Sequence, residues 1–380
     1  MTGIVDQNNV YKVFAGSAEL SPFHQCYANS ETVLRNCAGR LFPHYNGEDV
    51  TSCYWALRKK AALFDVPERP IEVSGNDSLP FLNMIFTREL STLAINRGRY
   101  VLACSSSGGL FMDAVIFRLC SNRFWIVQPD GYLSTWLEAH KTDYDVRISD
   151  PNSRVLQIQG PKSFQIINQL SDGLIDKNFG YFHSGFFNIG GQDLYVSRTG
   201  WTGELGYEIY TQGEKTNPIK LWRDLTQAGE EVGLQFSSMQ AMNIRRIEAG
   251  IFDSGSDFDL EMNPFEAGLG KFVDLTKNNF IGQQALHRGN RKKRLFGILS
   301  NGFTPRRGYT IVNKNGVVGM VTTGAYSPQL HAGIGYVKFP NAFNIASGEL
   351  KLRSDLGDEV DFEMLDPPFY DEGKRIPREL

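Results

Sequence analysis

Between residues 54 and 128 the apolar positions switch repeatedly between the spacing of a helix and that of a strand. YWALRKKAALFDV, which begins at residue 54, reads as a short amphipathic helix. RPIEVSG follows as a strand, and NDSLPFLNMIF as a capped helix. RYVLACSSSGGLFMDAVIFRL and RFWIVQP then form a hairpin that turns at CSNR. A second cycle repeats the theme, with TWLEAHKTD helical, RVLQIQG a strand and PKSFQIINQL a helix opened by proline. FFNIGGQDLYVSR with YEIYT makes a further hairpin.

From residue 294 the pattern changes to short strands with frequent turns: RLFGILS, YTIVNKNGVVGMVTTG, GIGYVKF, GELKLRS and EVDFEML. Asn315-Gly316 is a strong hairpin signal, and the even spacing predicts a small β-barrel. A boundary is expected near 288–294, dividing the chain into 1–290 and 291–380. With 380 residues the chain exceeds one typical core, in keeping with several packed units.

Charge adds little, because the net balance is only -3 and the single basic run, RKKR at 291–294, reads as a solvated linker. A nucleic-acid partner is therefore not expected. The start of the chain lacks a basic, then apolar, leader, and no later stretch approaches the roughly 20 apolar residues of a membrane span. A soluble, cytoplasmic protein is the expectation. Cys26, Cys37, Cys53, Cys104 and Cys120 are scattered without a CxxC, and the six histidines show no ligand spacing, so neither a disulfide framework nor a metal site is read. No GxGxxG or GxxxxGK[ST] loop marks a nucleotide site.

Three places carry candidate chemistry. In GGLFMDAVIFRL, alternation puts Asp113 on one face with Val115, Phe117 and Leu119, so a carboxylate opens an otherwise apolar stripe. It is either a strand-mouth acid that accepts backbone N–H bonds or a working group. SSMQAMNIRRIEAG reads as a helix with a Ser237–Gln240 capping box and a terminal Gly250. Helical spacing sets Arg246 on an apolar face with Met239 and Met242, and Arg245 off it. A buried ion pair and an anion or cofactor clamp both fit Arg246, and spacing alone does not choose. In SRTGWTGELGYEIY (197–210), Glu208 shares a strand face with Tyr210, while Gly200, Gly203 and Gly206 permit positive φ around a loop that offers the flat ring of Trp201.

SRTGWTGELGYEIY resembles the TGYTGExGxE signature of the glycine-cleavage T protein (aminomethyltransferase) superfamily. NIRRIEAGIFDSGSDFDLEMNPFEAGLGKFVDLTKNNFIGQQAL and GMVTTGAYSPQLHAGIGYV resemble two further stretches of that superfamily, in its order, so the likeness spans roughly residues 20 to 375. The resemblance implies an α+β fold, a three-domain cloverleaf with a C-terminal β-barrel, around a channel that holds tetrahydrofolate. It carries the active-site aspartate to Asp113, the pterin-binding glutamate to Glu208 and the folate-contacting arginine to Arg246. The aromatic position of the signature is Trp201 here, and Tyr100 matches a channel-lining tyrosine.

Within the superfamily, T proteins usually carry two adjacent aspartates where this chain has Met112 and Asp113. FDVPERPIEVSG and IRRIEAG look more like the dimethylsulfoniopropionate demethylase branch, which implies transfer of a methyl group from a small sulfonium donor to N5 of tetrahydrofolate. The alternative is aminomethyl transfer from a lipoylated carrier protein, giving methylenetetrahydrofolate and ammonia. Flavin-linked relatives are disfavoured because this chain has no nucleotide-binding domain. A non-catalytic folate-binding accessory role is disfavoured because KNNFIGQQ has Phe280 where such relatives carry cysteine. Cys104 lacks a histidine partner, so no covalent nucleophile is expected.

Overall fold

A computed structural model describes residues 18–128, 132–341 and 349–379. The first part of the chain forms β1 (Glu19–Leu20), α1 (His24–Tyr27), β2 (Val33–Cys37), β3 (Arg40–Tyr45), α2 (Val50–Lys59), β4 (Ala61–Val66) and β5 (Arg69–Ser74). There follow α3 (Ser78–Ile85), β6 (Arg97–Cys104), β7 (Leu110–Cys120), β8 (Arg123–Gln128), α4 (Tyr132–His140), β9 (Arg147–Ser149), β10 (Val155–Gln159) and α5 (Ser163–Leu170). Next come β11 (Ser184–Ile189), β12 (Gln192–Ser197), β13 (Gly206–Tyr210), α6 (Pro218–Gly229), β14 (Leu234–Phe236), α7 (Met239–Glu248) and α8 (Gln283–Arg288). The last part holds β15 (Leu295–Ser300), β16 (Thr310–Asn313), β17 (Gly316–Ser327), β18 (Ala332–Lys338), β19 (Lys351–Arg353), β20 (Glu359–Val360) and β21 (Glu363–Leu365).

Two sheets confront each other. One has the order β11-β12-β13-β10-β4-β14, the other β6-β7-β8-β5-β9. On the first, Leu63, Leu156, Ile158, Val196 and Ile209 point outward onto Ile166, Ile167, Leu221 and Leu225 of α5 and α6. On the second, Val101, Met112, Ala114, Ile116 and Ile126 point outward onto Phe81, Leu82 and Ile85 of α3 and Leu133 and Leu137 of α4. The opposite residues on each strand then meet between the sheets, where Phe64, Val155, Tyr195 and Tyr210 pack with Val115, Phe117, Trp125 and Val127. Strand alternation thus gives each sheet a helix-covered face and a face turned toward the other sheet. The fold is mixed α+β, with the two inner faces turned to one another.

The third unit is the sheet β20-β19-β16-β17-β18-β15-β21. Its two end strands, β20 and β21, are separated in the chain only by Asp361 and Phe362, so the sheet must curl until its edges approach, as a barrel does. The Asn315-Gly316 turn joins β16 to β17 with Gly316 at φ +114°.

Several sequence expectations need correction. YWALRKKAALFDV is not one helix: α2 stops at Lys59, and AALFDV is strand β4, buried at every position. A central strand covered on both faces shows an unbroken apolar run, which periodicity cannot separate from a buried helix. The N-cap of α7 is Ser238, not Ser237, with its side chain accepting from Gln240 N. RKKR is not a purely solvated linker. Arg291 and Lys292 are exposed, but Arg294 is buried and donates to the carbonyls of Phe339 and Glu261.

Candidate functional site

Asp113 lies on the inner face of β7 with Val115, Phe117 and Leu119, as alternation requires. Tyr100, on neighbouring β6, donates its hydroxyl to Asp113 Oδ2 at 2.8 Å and turns its ring edge onto Phe272. Burial raises the Asp113 carboxyl to about 6, with the Tyr100 bond opposing the rise and nearby Asp253 adding to it. The acid is therefore mostly ionised at neutral pH yet keeps some basicity. Met112 is fully buried in the core under α3, on the opposite face of the strand. An acid at that position would not look into the inter-sheet space.

Glu208 lies on the inner face of β13, in register with Ser197 on β12 and Gln157 on β10. These three form a polar row across a face that is otherwise apolar. Glu208 Oε1 accepts from Gln157 Nε2 at 2.8 Å, and Oε2 accepts from Tyr210 OH at 2.8 Å, from Ser197 Oγ at 3.3 Å and from Thr199 Oγ1. Only 6% of the residue is exposed, and burial raises its carboxyl despite the Thr199, Tyr210 and Ser197 hydroxyls. Tyr210, one step along the strand, packs its ring against Phe117 and Trp125 of the opposite sheet, so Glu208 belongs to the surface that faces β7.

The loop between β12 and β13, residues 198–205, is shaped by Gln159 rather than by glycine flexibility throughout. Gln159 is fully buried; its Nε2 donates to Thr199 O at 3.1 Å and its Oε1 accepts from Thr202 Oγ1 at 2.7 Å. A Cβ on Gly200 would come within 2.1 Å of Gln159 Oε1, and one on Gly206 within 2.4 Å of Gln159 Cδ. Of the three signature glycines only Gly203 has positive φ, at +67°. Gly206→Ala is expected to cost about 1–3 kcal/mol through forced displacement of Gln159, measurable as a lower denaturation midpoint with unchanged m.

Arg246 is buried and spoken for. Its Nη1 donates to Asp257 Oδ2 at 2.6 Å and Ile251 O at 3.2 Å, its Nε to Asn243 Oδ1 at 3.0 Å, and its Nη2 to Thr323 Oγ1 at 2.8 Å. These bonds use four of the five guanidinium N–H groups. The guanidinium also stands 5.2 Å from the centre of the Trp201 ring, covering one of its faces. Arg245 was expected off the buried stripe, but it is only 1% exposed and pairs with Glu204 Oε1 at 2.6 Å. The end of α7 is enclosed on every side, so both arginines are internal and each needs an acid. Of the two signature glutamates, Glu204 is thus the structural one, bound to Arg245 and Arg58.

Asp113, Tyr100, Glu208, Trp201 and Arg246 therefore all sit on or beside the inner faces. Asp253 is within electrostatic reach of both Asp113 and Arg246, which links the two sides. Sequence reasoning missed Gln157, Glu68, Asp253 and Asp257. One local signal existed, since Gln157 and Gln159 share a face with Val155 in a strand that is buried throughout. Cys104 is buried, and burial pushes its thiol up to about 12, so it stays protonated. Among the described residues no group of His, Cys, Asp and Glu is arranged to hold a metal ion, and no helix is long and apolar enough to cross a membrane.

The sequence and the fold match a known family. The profile described as "GCVT N-terminal domain" matches residues 23–277, and that of the "Glycine cleavage T-protein C-terminal barrel domain" matches residues 293–371. The chain belongs to the glycine-cleavage T-protein family. It is 33% identical over 326 residues to an aminomethyltransferase of Caldanaerobacter subterraneus subsp. tengcongensis, covering 83% of this chain and 86% of that one. It is 35% identical to an aminomethyltransferase of Alkaliphilus oremlandii, covering 76% and 81%. Its fold superposes on the crystal structure of the glycine cleavage system aminomethyltransferase T from Bartonella henselae with a TM-score of 0.82 at 23% identity, over 94% of this chain and 99% of that one.

Proposed function

We propose that this protein is a tetrahydrofolate-dependent one-carbon transferase, and that the unit it moves is an aminomethyl group delivered on a lipoylated carrier. The observation that carries the reading is the opposition of two acids, Asp113 and Glu208, on the facing surfaces of two sheets. A reduced pteridine presents a ring N–H and an amino group side by side, which a carboxylate accepts as a pair. The hydroxyls of Ser197, Thr199 and Tyr210 now held by Glu208 can rotate to other acceptors, so admitting the ring does not require moving charge. Trp201 supplies a ring for stacking, and Arg246 braces one of its faces. Asp113, steadied by Tyr100, is the group that orients the reacting nitrogen and stabilises positive charge as it develops or departs.

The demethylase reading rested in part on Met112, and that argument weakens because Met112 points into the helix-covered core. The relatives named aminomethyltransferase favour the carrier-borne donor. Methyl transfer from a sulfonium donor is retained as a second reading because Glu68, shared with that branch's entry segment, lies beside the polar row, whereas Arg69 pairs with Glu19 and Asp150.

The test is to incubate the protein with tetrahydrofolate and either an aminomethyl-loaded lipoylated carrier or a dimethylsulfonium carboxylate. Methylenetetrahydrofolate with ammonia supports the first reading, whereas 5-methyltetrahydrofolate from the sulfonium alone supports the second. Binding without turnover for both donors would leave an accessory folate-binding role. In the same preparation, Glu208→Ala is expected to weaken tetrahydrofolate binding by about 100-fold, as loss of two charge-assisted hydrogen bonds requires, measured by calorimetry.

A further inference from the structure

Glu68 lies in the short crossing between β4 and β5, where the chain leaves one sheet and enters the other. Gln157 Nε2 bonds Glu208 Oε1 at 2.8 Å and Glu68 Oε1 at 3.3 Å, so one amide joins two carboxyl groups. Gln157 is fully buried and its Oε1 has no donor, and Glu68 Oε2 is buried without a partner as well. A polar row with only a structural role would close on itself, because an unmatched buried polar atom is costly. This one stops short beside Glu208. The groups facing Glu68 are Glu208 and Tyr210 on β13, Asp65 on β4 and Arg40 on β3. Arg40 donates Nη1 to the backbone carbonyl of Glu68 at 2.6 Å, so its hydrogen bond is not to the carboxyl.

We infer that Glu68 is a second acid of the pteridine site, donating as the neutral acid from Oε2 to the ring carbonyl while Glu208 accepts from the adjoining ring N–H and amino group. The inference rests on the reading of Glu208 as the ring's anchor. Along that edge the ring runs acceptor, donor, donor. A neutral carboxylic acid beside a carboxylate runs donor, acceptor, acceptor, with the Gln157 amide spanning the two. Two adjacent buried carboxyls favour one that keeps its proton. Burial, with Glu208 alongside, pushes the Glu68 carboxyl up to about 8.

Tetrahydrofolate affinity, measured by calorimetry between about pH 6 and 9.5 across this titration range, tests the assignment. Wild-type affinity is expected to be level below pH 8 and to fall above it, because ionised Glu68 cannot donate and repels Glu208. Glu68→Gln keeps an N–H donor at every pH, so its affinity near neutrality should match wild type and the alkaline fall should vanish. Glu68→Leu is expected to bind about tenfold more weakly throughout the range. Should Glu68→Leu fail to fold, the Glu68→Gln profile decides alone. Wild-type affinity in Glu68→Leu, or an unchanged alkaline fall in Glu68→Gln, overturns the assignment. Glu208→Gln separates the two levels: if it leaves affinity intact, the anchor reading itself falls, whereas if it weakens binding while both Glu68 variants behave as wild type, only the role of Glu68 falls.

Discussion

Asp113→Asn is expected to lower turnover by about 10²–10⁴-fold while tetrahydrofolate affinity stays within about threefold of wild type. The substitution keeps size and the capacity to accept from Tyr100 OH, so the site's shape survives and only the charge is lost. Rapid-quench turnover alongside equilibrium binding separates the two effects. Because the Asp113 carboxyl lies at about 6, wild-type kcat/KM should fall as pH drops below that value, when the carboxylate is neutralised, and the asparagine variant should lack this acid limb. A variant that binds the cofactor poorly but turns over normally when saturated would exchange the roles of Asp113 and Glu208.

The second large effect is on stability. Asp257 is fully buried and holds Arg246 Nη1 at 2.6 Å, Thr322 Oγ1 at 2.6 Å and the backbone N–H of Asp253 at 2.9 Å. Asp257→Ala leaves a guanidinium inside the protein without its counter-charge, which costs roughly 3–5 kcal/mol, or about 10 °C in melting temperature for a chain of this size. Removing both partners, as Asp257→Ala with Arg246→Met, is expected to recover much of that loss, since the stranded charge goes with them. A single-variant loss below about 1 kcal/mol would show that the pair is not what joins α7 to the barrel.

The elements most readable in the sequence were those whose pattern is local. Alternation placed Asp113 with Val115, Phe117 and Leu119, and Asn315-Gly316 announced its hairpin. The errors came where burial is symmetrical or partners are remote. Strand β4 looked helical because both its faces are covered. The stripe argument spared Arg245 because it assumed that one side of α7 meets water, and none does at that end. The glycines around Trp201 were credited to loop flexibility, but two of them make room for Gln159, about 40 residues upstream. Glu68 and Gln157 were invisible as site candidates because their neighbour Glu208 is brought to them only by strand pairing.

The internal arginines also set an order of events during synthesis. Arg246 reaches Thr323, which lies 77 residues later, and neighbouring Glu248 is held by Tyr370, which lies 122 residues later. The counter-charges of α7 are made before those late segments, Asp257 for Arg246 and Glu204 for Arg245, whereas its hydrogen bonds with Thr323 and Tyr370 wait for the final strands. The signature segment is made early but the helix beneath it is completed last, so a nascent chain stalled before the final strands holds α7 by its ion pairs alone.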